Sequence, residues 1–330
     1  MDRKKVKRIF ESAANRQICI IGDIMLDRYM VGSVSRISPE APVQVFDHKS
    51  SNNKLGGAAN VCLNIKTLGG NPFLIGIIGN DDTGKLLTRE MKSLKIDTSG
   101  LIVDKKRPTT CKTRVISDSH HLIRIDSESK RDIDPETENK IFKKLESISR
   151  NTGYIILQDY NKGVLTKSLI KRVIEFANRK RIRILVDPKF ENFFEFRNTF
   201  IFKPNRKEIE DAFGRKAKSP DDFNNTVKEL MKRLKCDNVV LTLGEEGMRI
   251  YENSGRKLKI ESIKTHARKV ADVSGAGDTV ISTIAFCLTG GASIYDAVFI
   301  SNVAAGRVVE EVGIVPIHKN ELLKQLENEI

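Results

Sequence analysis

Short apolar runs alternate with helix-periodic segments through most of the 330 residues, and this rhythm constrains the fold more than any other feature. The runs cover residues 18–21, 43–46, 74–78, 154–157, 182–186, 199–202 and 238–242; most are rich in β-branched residues and bounded by Gly, Pro, Asp or Asn. Between them, residues 57–68, 83–94, 137–149, 166–178 and 221–234 space apolar side chains as a helix does. Strand and helix in alternation predict an α/β three-layer sandwich. Its mainly parallel sheet is covered by helices on both faces, with ligands at the carboxyl ends of the strands. Two stretches break the rhythm. Residues 110–116 and 121–125 read as strands joined by a turn at 117–120, and residues 27–46 carry polar residues and two prolines before another strand. Both fit a small β-sheet lid projecting over a site, and both fit ordinary edge hairpins.

The run Ala271-Asp272-Val273-Ser274-Gly275-Ala276-Gly277-Asp278-Thr279 is the strongest local signal. The largely apolar stretch from Thr279 to Tyr295 reads as one buried helix, so the small residues sit at its N-terminus. Backbone N–H groups there lack intrahelical partners and face the positive end of the helix dipole, which suits an anion approached closely by the backbone. An acid at such a mouth repels a bound phosphate unless it takes a proton from the nucleophile that attacks it. The alternative is that Asp278 caps the helix.

A chain of this length forms two average domains or one large α/β domain, and either buries a substantial core. We expect a single domain over 1–330 with lid segments near 27–46 and 108–126. The net charge of +14 suits nucleic acid or anionic ligands. Its basic residues are dispersed and Trp is absent, so no stacking pattern supports nucleic-acid binding. Phosphorylated small molecules fit better. Cys19, Cys62, Cys111, Cys236 and Cys287 are odd in number, far apart and without a metal-ligand spacing, which predicts free buried thiols in a reducing compartment. The apolar run after Asp278 is broken by Thr289, Gly290, Gly291 and Ser293 and is short for a membrane span, so a cytoplasmic protein is expected.

Polar residues recur just after the strand-like runs: Asp23 and Asp27, Asp159, Asp187 and Asn205. In an open parallel sheet such positions converge on one crevice, although each alone is also an ordinary turn former. Asn205 and Glu208, three apart at a helix start, suit a capping pair and equally suit magnesium held through water. The glycine-punctuated segment Thr242 to Gly247 is either a tight turn or a rest for a nucleotide. Gly56, Gly57 and Asn60 open a helix with small residues, as close ligand approach or helix-on-sheet packing would demand. Lys162 is a phosphate contact or a solvated loop lysine.

Taken together, these segments resemble the ribokinase, or PfkB, family of carbohydrate kinases over nearly the whole chain. Gly56–Asn60 and Asp272–Thr279 match its two signature regions, and Asp187-Pro188-Lys189, Asn205–Glu208, Thr242–Gly247 and Asn302–Gly306 with Val308-Val309 follow in family order. Residues 22–29, 35–43 and 159–163 are similar to the kinases of D-glycero-β-D-manno-heptose 7-phosphate in lipopolysaccharide core synthesis. Many of those carry a fused cytidylyltransferase-like domain; with the chain ending at Ile330, a stand-alone kinase is expected. Ser274, Gln158 and Lys203 depart from the pattern, standing where Thr, a small hydroxyl residue and Thr are usual.

The resemblance implies a ribokinase-like fold and transfer of the ATP γ-phosphoryl group to the anomeric 1-hydroxyl of the heptose 7-phosphate. Asp278 would be the base, and Gly275, Ala276 and Gly277 would hold the transferring charge. Asn205 and Glu208 would hold Mg2+ through water; Thr242, Gly244, Gly247, Asn302, Ala305 and Val309 would border the nucleotide. Asp27, Gly57 and Asn60 would meet the sugar. Arg36, Arg114 and Arg124 are candidates for its distal phosphate, and Lys162 and Lys189 for either phosphate end. It also implies K+ near Asp272 and a homodimer through the lid, with no nucleic-acid or membrane partner.

Overall fold

The computed structural model describes residues 1–329 except Asn15, Asp118, Ser119, Ser254, Arg256 and Arg268. In chain order the first elements are α1 (Arg3–Ala13), β1 (Gln17–Gly22), β2 (Ile24–Ile37), β3 (Gln44–Gly57), α2 (Ala58–Thr67), β4 (Asn71–Gly79) and α3 (Asp82–Ser93). Next come β5 (Leu101–Asp104), β6 (Thr110–Ser117), β7 (His120–Ser127), α4 (Pro135–Ile148), β8 (Thr152–Gln158), α5 (Lys167–Arg179) and β9 (Arg183–Asp187). Then follow β10 (Ile201–Phe202), α6 (Arg206–Phe213), α7 (Pro220–Leu234), β11 (Asn238–Thr242), β12 (Met248–Asn253) and β13 (Leu258–Ile263). The chain closes with α8 (Ala276–Thr289), α9 (Ile294–Val308) and α10 (Lys319–Glu329).

One nine-stranded sheet has the order β13-β12-β11-β10-β9-β8-β1-β4-β5. It is parallel from β11 to β5, with β12 and β13 added antiparallel. Alternation along each strand builds two separate cores, because successive side chains point to opposite faces. Ile18 and Ile20 of β1 join Ile156, Leu185 and Val240 in a cluster with α1, α2, α8, α9 and α10. Cys19 and Ile21 join Ile155, Val186 and Leu241 in a second cluster with α4, α5 and α7. This is the expected three-layer sandwich. The five cysteines are free and buried, as their spacing predicted.

The lid is a four-stranded sheet in the order β3-β2-β6-β7, with β2 parallel to β6 and antiparallel to β3. It is longer than its sequence signal. Residues 27–37 and 44–46 are strand: β2 and β3 are each 14 residues long, and the two prolines fall in the connection between them. Two of the four turn residues expected between β6 and β7, Asp118 and Ser119, lie outside the described residues. The single helix expected over 279–295 is two. Gly290 ends α8, Gly291 turns at φ +84°, and Ser293 caps α9 through the Asp296 N–H at 3.1 Å. Among the described residues, no helix is long and apolar enough to cross a membrane.

Candidate active site

Asp278 is the third residue of α8, and its carboxylate does not cap the helix. The N-cap is Gly275, which makes no side-chain cap bond. Asp278 instead accepts hydrogen bonds from three side chains outside α8. Asn60 Nδ2 donates to Oδ2 at 2.8 Å, while the Tyr160 hydroxyl at 2.8 Å and Gln158 Nε2 at 3.1 Å donate to Oδ1. Burial, opposed by the Asn60 bond and reinforced by the Asp187 charge, pushes its carboxyl up to about 7. A carboxylate buried in this way and poised near neutrality is equipped to exchange a proton. The turn before it is shaped by backbone. Gly275 has φ +80°, and a Cβ there would sit 3.1 Å from Asn60 Nδ2, so conformation and close approach both demand glycine. The Ala276 N–H is taken by the Val273 carbonyl at 3.2 Å, which leaves the Gly275, Gly277 and Asp278 N–H groups without an internal acceptor among the described residues.

This turn forms part of a cleft of about 990 Å³ at the carboxyl ends of β8 to β11. Gln158 ends β8, Asp187 ends β9, and Lys203 and Asn205 follow β10, as the topology of an open parallel sheet dictates. The cleft gathers every residue expected to border the nucleotide: Asn205, Glu208, Thr242, Gly244, Gly247, Asn302, Ala305 and Val309, with Lys189 beside them. Val270, Val273, Met248 and Val280 add apolar wall to it. Asn205 and Glu208 form a complete capping box: Asn205 Oδ1 accepts the Glu208 N–H, and Glu208 Oε2 accepts the Asn205 N–H, both at 2.8 Å. Glu208 also pairs with the Lys189 ammonium. No three His, Cys, Asp or Glu residues cluster at metal-binding distance among the described residues. The side-chain oxygens of Asn205 and Glu208 are hard donors of the kind that a hydrated magnesium meets through its waters.

The lid approaches the cleft at Tyr160. Register places Asp27 and Tyr29 of β2, Lys112 and Arg114 of β6 and Arg124 and Asp126 of β7 on one face of its sheet. Asp27 is buried and ion-paired to Arg114, whose guanidinium also lies 5.2 Å from the Tyr29 ring centroid. Gly56 permits this, since a Cβ there would stand 2.2 Å from Asp27 Oδ2. The ammonium groups of Lys112 and Lys189 lie 5.9 and 5.8 Å from the centroid of Tyr160, the ring whose hydroxyl holds Asp278. Lys162 is tied to Glu128 at 2.7 Å.

The other expected residues are placed as follows. Asn60 is fully buried and holds Asp278, with its own side-chain oxygen taken by Asn64 Nδ2 at 3.3 Å. Gly57 ends β3 opposite Ile24, where the chain returns from the lid, and is the N-cap of α2. Arg36 is exposed near the outer end of β2, about 30 Å along the strand from Asp27. Arg124 is exposed and forks onto Asp126 at 2.9 and 3.0 Å. Asp272 braces a loop: its oxygens accept the N–H groups of Ser274 at 2.8 Å and Gly313 at 2.9 Å. Asp23 likewise anchors the loop after β8, accepting the N–H groups of Tyr160, Lys162 and Val164. Sequence reasoning missed Tyr160 and Lys112 as site residues and saw Gln158 and Lys203 only as departures. The signal available for the last two was their position, at the end of β8 and just after β10.

The pfkB family carbohydrate kinase profile matches residues 15–319. The bifunctional protein HldE of Helicobacter hepaticus is 40% identical over 310 residues, which are 94% of this chain and 64% of that protein. The bifunctional protein HldE of Geobacter sulfurreducens is 36% identical over 326 residues, 99% of this chain and 66% of that one. The chain thus spans roughly two thirds of the length of these relatives. Among solved structures, phosphofructokinase-2 from Escherichia coli in complex with potassium superposes with a TM-score of 0.78 at 18% identity, covering 95% of this chain and 98% of the other. Arabidopsis thaliana ribokinase complexed with ribose and ATP gives 0.74 at 19%, covering 94% and 99%. The fold is ribokinase-like, and with the family profile matching almost end to end, the chain belongs to the pfkB family of carbohydrate kinases and is an ATP-dependent sugar kinase.

Proposed function

We propose that this kinase phosphorylates the anomeric 1-hydroxyl of D-glycero-β-D-manno-heptose 7-phosphate, giving the 1,7-bisphosphate in ADP-heptose synthesis. The observation that carries the reading is the position of Asp278, which lines the cleft and is held by Tyr160, the ring that the lid's Lys112 approaches. The choice of sugar is supported by residues 22–29, 35–43 and 159–163 and by the relatives named HldE.

Asp278 takes the proton of the sugar hydroxyl as it attacks, held in line by Asn60, Gln158 and Tyr160. The N–H groups of Gly275 and Gly277 receive the charge of the transferring group, while Ala276 keeps the turn closed through Val273. Asn205 and Glu208 would hold a magnesium ion through its waters, and the ion would supply charge neutralisation on the phosphates. Asp27 and the backbone at Gly57 orient sugar hydroxyls. Lys162 and Lys189 serve the phosphate ends, each already steered by an acid, Glu128 or Glu208. With both Asp272 oxygens on backbone N–H groups, a K+ nearby would draw its ligands largely from carbonyls. The outer lid face carries exposed Ile123 and Ile125, which suits a homodimer through the lid.

Incubation with magnesium ATP and a panel of sugars and sugar phosphates, followed by phosphorus NMR, tests the substrate. The expected result is a new anomeric phosphate ester on heptose 7-phosphate. Preference for fructose 6-phosphate or ribose would reassign the sugar.

A further inference from the structure

We propose that Lys203 is a catalytic residue, its ammonium contacting the phosphoryl group in transfer above the Gly275–Gly277 turn. The Lys203 side chain is only 4% exposed, and Nζ lies 2.9 Å from Asp187 Oδ1. A Cβ built on Gly277 would stand 3.5 Å from Lys203 Nζ and 3.7 Å from Asp187 Oδ2. The ammonium and the open N–H groups of the turn therefore address the same small volume, kept clear because residue 277 has no side chain. Both residues line the cleft.

An ion pair buried for stability alone is a poor design, because desolvating both charges costs about what their attraction returns. Here the pair is held in place from outside. The second oxygen of Asp187 accepts from Gln158 Nε2 at 3.1 Å, and that same nitrogen donates to Asp278 Oδ1 at 3.1 Å. Cation and base are thus fixed to each other through Asp187 and Gln158. These two positions, 158 and 203, are also the ones at which the chain departs most from the pattern it resembles. Lys189 is less suited to the role, being paired with Glu208 and more exposed at 37%.

In the step, the bond from the γ-phosphorus to the β,γ-bridging oxygen breaks and its electron pair leaves with ADP. The sugar oxygen forms the new bond to phosphorus, and its proton passes to Asp278. Lys203 donates a hydrogen bond to a non-bridging oxygen whose charge the turn N–H groups share.

The proposal rests on the reading of the turn as the phosphoryl site, and a double-mutant cycle separates the two. Lys203→Met, Asp187→Asn and the double variant are compared by calorimetry for binding of magnesium ADP alone and of magnesium ADP with aluminium fluoride and sugar, which mimics the planar phosphoryl group. Thermal melting checks folding, and Lys203→Gln repeats the cycle if the methionine variant unfolds. Lys203→Met is expected to weaken the aluminium fluoride complex by about 100-fold, the loss typical of one oxyanion donor, while ADP alone changes by less than about threefold. The same loss is expected in the Asp187→Asn background. If Lys203 merely neutralises Asp187, the loss vanishes in that background, and the proposal fails. An equal loss for ADP alone also overturns it. Wild-type protein that binds ADP but not the fluoride complex would instead overturn the reading of the turn.

Discussion

Asp278→Asn is expected to lower kcat by about three orders of magnitude while the Kd for ATP, read by calorimetry, changes by less than about threefold. An amide keeps the shape of the site but cannot accept the hydroxyl proton. Residual turnover within tenfold of wild type would place the base elsewhere. Two further readouts follow from its carboxyl lying near 7. Wild-type kcat should rise with pH through an apparent value near 7. Burial and the nearby Asp23 push the Asp159 carboxyl to about 7 as well, so Asp159→Asn is the control that must leave this limb in place. The charged groups facing Asp278 are Asp187 and Lys203, beside the neutral Tyr160 hydroxyl, with Lys189 and Asp27 farther off. For stability the sign is opposite to that of an ordinary salt-bridged acid. The folded state binds this proton more tightly than the unfolded chain, so the contribution is favourable at low pH and is lost as pH rises toward 7. Asp278→Asn should accordingly raise the melting temperature at pH 8, with the gain shrinking as pH falls below 7.

Arg114→Met is expected to destabilise the protein by about 3–5 kcal/mol in urea unfolding, because it leaves Asp27 buried and unpaired. Adding Asp27→Asn should recover most of that loss. The pair was foreseen as two separate substrate contacts, a sugar ligand and a phosphate ligand. If Arg114 instead acts chiefly on a distal phosphate, its loss will raise KM for the phosphorylated sugar and leave the urea midpoint unchanged. Unchanged stability in the single variant would therefore sink the structural reading.

What was legible in the chain follows from where solvent lies. The parallel strands are covered on both faces, so β1, β4 and β8 read as apolar runs, and the polar residues at their ends converge as the topology requires. The lid strands β2 and β3 have no such signature. They carry Asp27-Arg28 and Ser50 to Lys54 in extended pairing, and a long ladder and the Asp27–Arg114 ion pair support them. Likewise Gly290 and Gly291 looked like an interruption in one apolar helix, although Gly290 fits against the Ile9 carbonyl of α1 and marks a true corner. For the site, residue types near Asp278 were visible, but not which oxygen or nitrogen each would use. Asn60 illustrates this: its amide donates to Asp278 from a helix 218 positions away in sequence.

The pairing of β2 runs unbroken from Ile24 to Val31 and then shifts register twice, between Val31 and Gly32 and between Val34 and Arg36. The inner segment cannot gain or lose a residue, since one step would turn Asp27 from the site to solvent and break its match to β6. Beyond Gly32 the ladder already tolerates slips. Insertions and deletions should therefore accumulate between residues 32 and 48, so the hairpin tip is a place where recognition can be remodelled by evolution, or by grafting, while the chemistry below it stays unchanged.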